Sequence, residues 1–173
     1  TALAIDRYEK DPDPKVRKEN NDLVELMTPI IKALLTDYGV EITSEMLQIF
    51  GGHGYIKEYG MEQFYRDVRI APIWEGTNGI QALDLAGRKM PQHMGRLLRR
   101  FFHPALNFIE KNKDDEELKE FIEPFAKALK GLQKTSMYMA QKGLSNPYEI
   151  GAAATDYLRQ FGLVAMGYMW LLM

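Results

Sequence analysis

The sequence predicts an all-α protein built as two helical bundles. Apolar residues recur at spacings of three and four over most of its 173 residues, which is the period of a helix with one buried face. No segment shows the alternation of apolar and polar residues that marks a half-buried strand. A basic cluster at Arg96–Arg100 and the break expected at Pro104 separate two stretches of helical pattern, so we predict one helical unit over residues 1–94 and a second over 95–173.

The first long helix is predicted from an apolar stripe over residues 23–35. The prolines of Asp11–Pro14 break any regular element before it, because proline lacks an amide donor. Gly39 is placed to end this helix. Pro29 lies inside the stripe, so a kink is expected there.

Two shorter helices complete the predicted first unit. Thr43 or Ser44 caps one, and Gly51–Gly52 marks its end. The periodicity then fades over residues 53–74, which predicts an ordered loop with a helical turn at about 61–66. The next helix is predicted to start after Thr77, a suitable N-cap, and to run towards Met90.

The predicted second unit contains two clear helical patterns. Apolar residues over 118–129 form one stripe, preceded by a charged, solvated segment at 111–120. Asn146–Pro147 marks a turn, and the last helix carries the apolar positions of residues 158–172.

Composition excludes several classes of function. The absence of cysteine excludes a disulfide scaffold, a thiol nucleophile and a cysteine zinc site. The formal net charge of −2 argues against a nucleic-acid binder. The three histidines have no metal-ligand spacing, so we expect no metal site. No apolar run is long enough for a membrane span and no leader pattern is visible, so we expect a cytoplasmic location.

Glu75 is the carboxylate most suggestive of catalysis. It follows Ile73 and Trp74 and precedes Gly76, immediately before a predicted helix. Apolar neighbours that cover this carboxyl would raise its pKa towards the range of a useful general base. The alternative is an exposed loop glutamate that slightly favours the helix N-terminus.

Two further features leave alternatives open. The glycines of Gly51–Gly54 permit close approach of a ligand, or they only end a helix. The Arg96–Arg100 cluster either docks a partner or forms a solvated helix face. A non-catalytic helical interaction module is therefore the competing class of function, and a membrane-associated role for the apolar last residues is a weaker third.

Three blocks of sequence occur together in one order: Gln48–Tyr55, Met61–Ile70 and Trp74–Gln81. Their combination resembles the acyl-CoA dehydrogenase family. Residues 78–85 and the long helical extension resemble the larger bacterial members, which carry an extra C-terminal helical domain. The resemblance implies that this chain is the later part of a helical bundle, within a longer protein that also contains a β-domain.

The resemblance also implies a chemistry. Glu75 matches the base that removes the α-proton of an acyl-CoA thioester, while the β-hydrogen leaves as hydride to FAD. Gly76 matches a substrate-binding position. An electron-transferring flavoprotein is the implied electron acceptor, and fatty acid metabolism the implied setting. The positions that match cofactor contacts of the family are Gln48, Ile49, Phe50, Gly51, Gly52, Thr77, Asn78 and Gly79. In the family, the segment that matches Gln48–Gly52 meets the cofactor of a neighbouring subunit, which implies a homo-oligomer.

Overall fold

The structure, a computed structural model, describes residues 1–173, of which 83% are helical and none lies in a strand. The all-α prediction is confirmed. None of the helices combines the length and the apolar character needed to cross a bilayer. The helices in chain order are α1 (Ala2–Lys10), α2 (Pro14–Ile49), α3 (Met61–Arg69), α4 (Asn78–Leu83), α5 (Arg96–Asn112), α6 (Lys119–Ser145) and α7 (Pro147–Leu171).

The longest helix, α2, begins where the sequence predicts but does not end there. Pro14 occupies its first turn, and the Asp13 side chain accepts a hydrogen bond from the Lys15 amide. The predicted end at Gly39 and the predicted cap at Thr43 are wrong, because the helix continues to Ile49.

Tertiary packing explains the continuity of α2 through Gly39. A Cβ at this position would lie 2.9 Å from Cγ2 of Val68 on α3, so the glycine lets the two helices approach. This contact offsets the cost of about 1 kcal/mol for glycine inside a helix. The Thr43 hydroxyl donates back to the Gly39 carbonyl at 2.8 Å, as hydroxyl groups inside helices commonly do.

The segment between α2 and α4 is more regular than predicted. Gly51 has a φ of 57°, which ends α2 and leads into 3₁₀ turns at Gly51–Tyr55 and Lys57–Tyr59. Where the sequence predicts a single helical turn, α3 forms over Met61–Arg69. An i,i+4 ion pair between Glu62 and Arg66, at 3.0 Å, supports this short helix.

The helix that starts after Thr77 has an α-helical first half and a π-helical second half. The Thr77 hydroxyl accepts a hydrogen bond from the Ile80 amide, which confirms the predicted N-cap. After Leu83 the backbone becomes a π-helix over Asp84–Lys89, and the Met90 amide bonds to the Leu85 carbonyl at 2.9 Å.

The basic cluster lies at the start of α5, which begins at Arg96. Pro104 is also inside this helix, where the sequence predicts a break. The buried face of Leu97, Phe101 and Ala105 compensates for the missing hydrogen bond of the proline. The helices α6 and α7 occur as predicted, and Asn146 caps α7 by accepting a hydrogen bond from the Tyr148 amide.

One apolar core joins the helices of both predicted units. Its 21 buried residues include Leu26 of α2, Leu85 of the π-helix, Leu97 of α5, Leu129 of α6 and Phe161 of α7. The rings of α5 and α7 are in contact at its centre, since the Phe101 and Phe161 centroids are 5.0 Å apart. The boundary at residue 94 stays a prediction, and it crosses this shared core.

Candidate functional site

Glu75 lies in the tight turn that connects α3 to α4. Its φ is 50° and that of Gly76 is 84°, so two consecutive residues adopt left-handed backbone conformations. Such a conformation is uncommon for a residue with a side chain and is frequent at functional sites. The Asn78 amide closes the turn by bonding to the Pro72 carbonyl at 3.1 Å.

The turn leaves the Glu75 side chain at the surface. Ile73 and Trp74 are 48% and 54% exposed, and Glu75 is exposed as well. The expected apolar cover of the carboxyl by these two neighbours is therefore absent within this chain. Side chains of consecutive residues diverge around a tight turn, which is why sequence proximity did not produce burial.

A lysine of α2, Lys32, makes hydrogen bonds to the turn. The Lys32 ammonium group donates to the Gly76 carbonyl oxygen at 2.7 Å and to Oδ1 of Asn78 at 2.9 Å. Lys32 is 43 residues before Glu75 in the chain and half-buried. These bonds connect the carbonyl that follows Glu75 to the middle of the longest helix.

Asn78 is the centre of this network. Its Nδ2 donates to the Ala33 carbonyl at 3.1 Å and to Oδ1 of Asp37 at 2.6 Å. The Thr36 hydroxyl is within 3.2 Å of its Oδ1. The side chain of Asn78, predicted to contact a cofactor, is thus engaged with α2, while its neighbours Thr77 and Gly79 are exposed.

The backbone at Gly76 favours glycine. Its φ of 84° disfavours any side chain. A Cβ at this position would lie 2.7 Å from Nε2 of Gln81, which donates to the Gly76 carbonyl oxygen at 3.3 Å, so a side chain here would displace this amide. The predicted role of Gly76 in leaving space for a substrate stays a prediction.

The other predicted cofactor-binding segment, Gln48–Gly52, forms a second exposed surface. Ile49 is 82% exposed, and a Cβ added at Gly51 or Gly52 would meet no atom within 4 Å. Gln48 lies 11 residues beyond Asp37 on α2, which corresponds to about 17 Å along the helix axis. The structure therefore does not bring this segment to the Glu75 turn.

The arginines of the basic cluster are used inside the chain. Arg96 makes a bidentate ion pair with Asp22, with both N–O distances at 2.9 Å, and Asp22 is buried. Arg100 also approaches Asp22, and Arg99 donates to the Met94 carbonyl at 2.8 Å. The contacts of Arg96 and Arg100 with Asp22 attach α5 to α2, while Arg99 is exposed. The predicted docking role of the cluster stays a prediction.

Sequence reasoning missed Lys32, Thr36 and Gln81. The first two lie four residues apart on one face of α2, which is a visible signal of a polar stripe. Nothing in the sequence pairs that stripe with Asn78, because the partners are more than 40 residues apart. Only the packing of α4 against α2 identifies them.

The fold and this turn define a class: an all-α bundle that presents a carboxylate on a strained, internally anchored loop. A family model described as "Acyl-CoA dehydrogenase, C-terminal domain" matches residues 15–90. A second, described as "Acetyl-CoA dehydrogenase C-terminal like", matches residues 101–173.

Similar proteins agree with these models. The chain is 46% identical over 97 residues to 3-methylmercaptopropionyl-CoA dehydrogenase of Ruegeria pomeroyi, covering 56% of this chain and 16% of that protein. It is 30% identical over 166 residues to the broad-specificity linear acyl-CoA dehydrogenase FadE5 of Mycobacterium tuberculosis, covering 92% of this chain and 26% of that protein. The crystal structure of Caenorhabditis elegans ACDH-11 in complex with C11-CoA has a TM-score of 0.69 and 27% identity, over 84% of this chain and 25% of that one.

The chain belongs to the acyl-CoA dehydrogenase family, in the part that these C-terminal models describe. It spans about a quarter or less of the length of the relatives above.

Proposed function

We propose that this chain is the part of an FAD-dependent acyl-CoA dehydrogenase that supplies the catalytic base, Glu75. The observation that carries the proposal is the geometry of the turn: an exposed carboxylate on two left-handed residues, fixed to α2 through Lys32 and Asn78. The family and the relatives' names support the reaction class. The substrate is an acyl-CoA thioester, the class of ligand bound in the ACDH-11 structure.

The proposed reaction assigns Glu75 one task. A carboxylate within hydrogen-bond reach of the thioester α-carbon removes its proton, as a general base does. The fixed turn contributes by holding the carboxylate in one place, which lowers the entropic cost of reaching the reactive geometry. The apolar cover that raises the basicity of Glu75 comes, in this proposal, from the substrate and from the rest of the protein.

The residues matched to cofactor contacts fit a large planar ligand. The exposed side chains of Ile49 and Phe50 offer an apolar surface, and Gly51 and Gly52 leave the backbone open to approach. FAD, when bound, accepts the β-hydrogen of the substrate as hydride. Thr77 and Gly79 present exposed polar backbone next to the Glu75 turn.

The proposal includes a homo-oligomer, because the family resemblance assigns Gln48–Gly52 to the cofactor of a neighbouring subunit. Asp37, which contacts Asn78, lies about 17 Å along α2 from Gln48, so the two surfaces of one chain are separate. The proposal also includes an electron-transferring flavoprotein as acceptor, a cytoplasmic location and a role in fatty acid metabolism. These three parts rest on the family alone.

The test uses the FAD-loaded protein of full family length that contains this chain. Glu75→Gln keeps the size of the side chain and removes the base, so we expect acyl-CoA to lose its ability to bleach the flavin under anaerobic conditions. FAD content should not change. Glu123→Gln, at an exposed position on α6, is the matched control and should bleach normally. Normal bleaching by the Glu75→Gln protein would refute the assignment.

A second test concerns the 173-residue chain alone. It holds only the C-terminal part of the family's architecture, so we expect no turnover and negligible affinity for FAD. Absorbance at flavin wavelengths after dialysis measures this directly. A yellow preparation with one FAD per chain would contradict the expectation.

A further inference from the structure

We propose that Lys32 is a positioning residue for the reaction: its ammonium group fixes the Gly76 carbonyl and thereby the direction in which Glu75 presents its carboxylate. This inference rests on the proposed function of Glu75. It assigns Lys32 no contact with the substrate and no transfer of protons.

The contacts of Lys32 are unusual for a lysine in a helical bundle. No ion pair of the chain includes it. Its charge is instead directed at the Gly76 carbonyl, at 2.7 Å, and at Oδ1 of Asn78, at 2.9 Å. Hydrogen bonds to a charged group contribute about 1.5–3 kcal/mol, more than neutral ones. A charged hydrogen bond therefore holds the residue next to Glu75.

The turn needs such a tether because its conformation is strained. A left-handed backbone at a residue with a side chain costs about 1–2 kcal/mol, and Glu75 has a φ of 50°. The other donor to the Gly76 carbonyl is Gln81, at a longer 3.3 Å. Loss of the Lys32 bond would release the Gly76–Thr77 peptide, so the left-handed residues before it could relax and move the carboxylate.

The helix that carries Lys32 is as important as the strength of its hydrogen bond. Lys32 is on α2, which is 36 residues long and has Leu26, Ile30 and Ala33 in the core. Gln81 is on α4, which directly follows the turn and would move with it. Lys32 thus joins the Gly76 carbonyl directly to α2, next to the bonds that Asn78 makes to the same helix.

The experiment compares Lys32→Met with Lys32→Arg in the FAD-loaded, full-length protein. Methionine keeps the aliphatic stem and removes the donor, so we expect anaerobic flavin bleaching to slow by about 10- to 100-fold, the cost of a small misplacement of a reacting group. The concentration of acyl-CoA that gives half-maximal rate should change little, because the substrate does not contact Lys32. Arginine keeps a charged donor and should recover most of the rate.

Controls separate this inference from the proposed function. Lys18→Met, at an exposed position on the same helix, should leave the rate unchanged. Inactive Glu75→Gln together with a normal rate for Lys32→Met would overturn the role of Lys32 alone. Active Glu75→Gln would overturn the proposed function itself.

A purely structural role for Lys32 gives a different pattern. In that case Lys32→Met would lower stability or FAD content without a specific loss of maximal rate. If Lys32→Met does not retain FAD, Lys32→Gln, whose shorter neutral amide cannot reproduce the charged bond, takes its place and should show the same slowing. Failure of both proteins to fold with bound flavin would also overturn the inference, because it would assign Lys32 to the fold.

Discussion

Replacement of Asn78 by alanine should destabilise the chain more than any other single change in the connection between the turn and α2. The amide donates to the Ala33 carbonyl and to Asp37, and it accepts from Lys32 at 2.9 Å. Each neutral bond contributes about 1 kcal/mol net, and those to charged groups more. Asp37 is exposed and Lys32 retains the Gly76 carbonyl, so the total should be about 2–3 kcal/mol rather than the full sum.

Urea unfolding of the 173-residue chain, followed by circular dichroism, measures this loss. Asn107→Ala is the matched control, since Asn107 is exposed on α5, and it should change the free energy of unfolding by less than about 0.5 kcal/mol. Trp74 lies in the same turn, so its side chain should become more mobile in Asn78→Ala, which lowers the anisotropy of its fluorescence. If Asn78→Ala were as stable as Asn107→Ala, the network would not hold the turn.

Two further predictions concern the core. Phe161→Ala should lower the free energy of unfolding by about 3–5 kcal/mol, because the ring is fully buried against Phe101 and Tyr157. Phe121→Ala, at an exposed position, should cost far less. Equal urea midpoints for the two proteins would contradict the packing. Burial raises the pKa of Tyr157 to about 12, although its hydroxyl bonds to Ser136 at 2.8 Å. The folded state thus keeps this proton more tightly than the unfolded state, so its contribution is constant below about pH 10 and falls by about 2–3 kcal/mol as the pH rises towards 12. The stability difference between wild type and Tyr157→Phe, measured across this range, should show that fall, and a flat difference would contradict it.

The presence of the helices was predictable from the sequence, and several of their ends were not. The apolar periodicity of α6 and α7, the cap at Thr77 and the turn at Asn146–Pro147 are local signals, and each was confirmed. Gly39 and Pro104 are also local signals, yet helices continue through both. Contacts with α3 and with the core outweighed the local preference, and a single sequence does not report such contacts.

In the candidate site, too, the residues with a local sequence signal were predictable and those placed by tertiary packing were not. Glu75, Gly76 and Thr77 are adjacent in sequence, so one motif identified them together. Lys32 could not be found, because its function depends on the packing of α4 against α2. The sequence left open whether the Glu75 carboxyl is covered, and the structure shows it exposed on the left-handed turn after Ile73 and Trp74.

Exchange of the substrate α-proton is the sharpest test of Glu75 as the catalytic base, because it separates proton removal from hydride transfer. An acyl-CoA with sulfur in place of its β-carbon cannot lose a β-hydrogen but still has an acidic α-position. Incubated in D₂O with the FAD-loaded, full-length protein, it should gain deuterium at the α-carbon, measured by mass spectrometry. We expect Glu75→Gln to slow this exchange by at least about 100-fold and Glu123→Gln to leave it unchanged. Exchange at the wild-type rate in the Glu75→Gln protein would contradict this role.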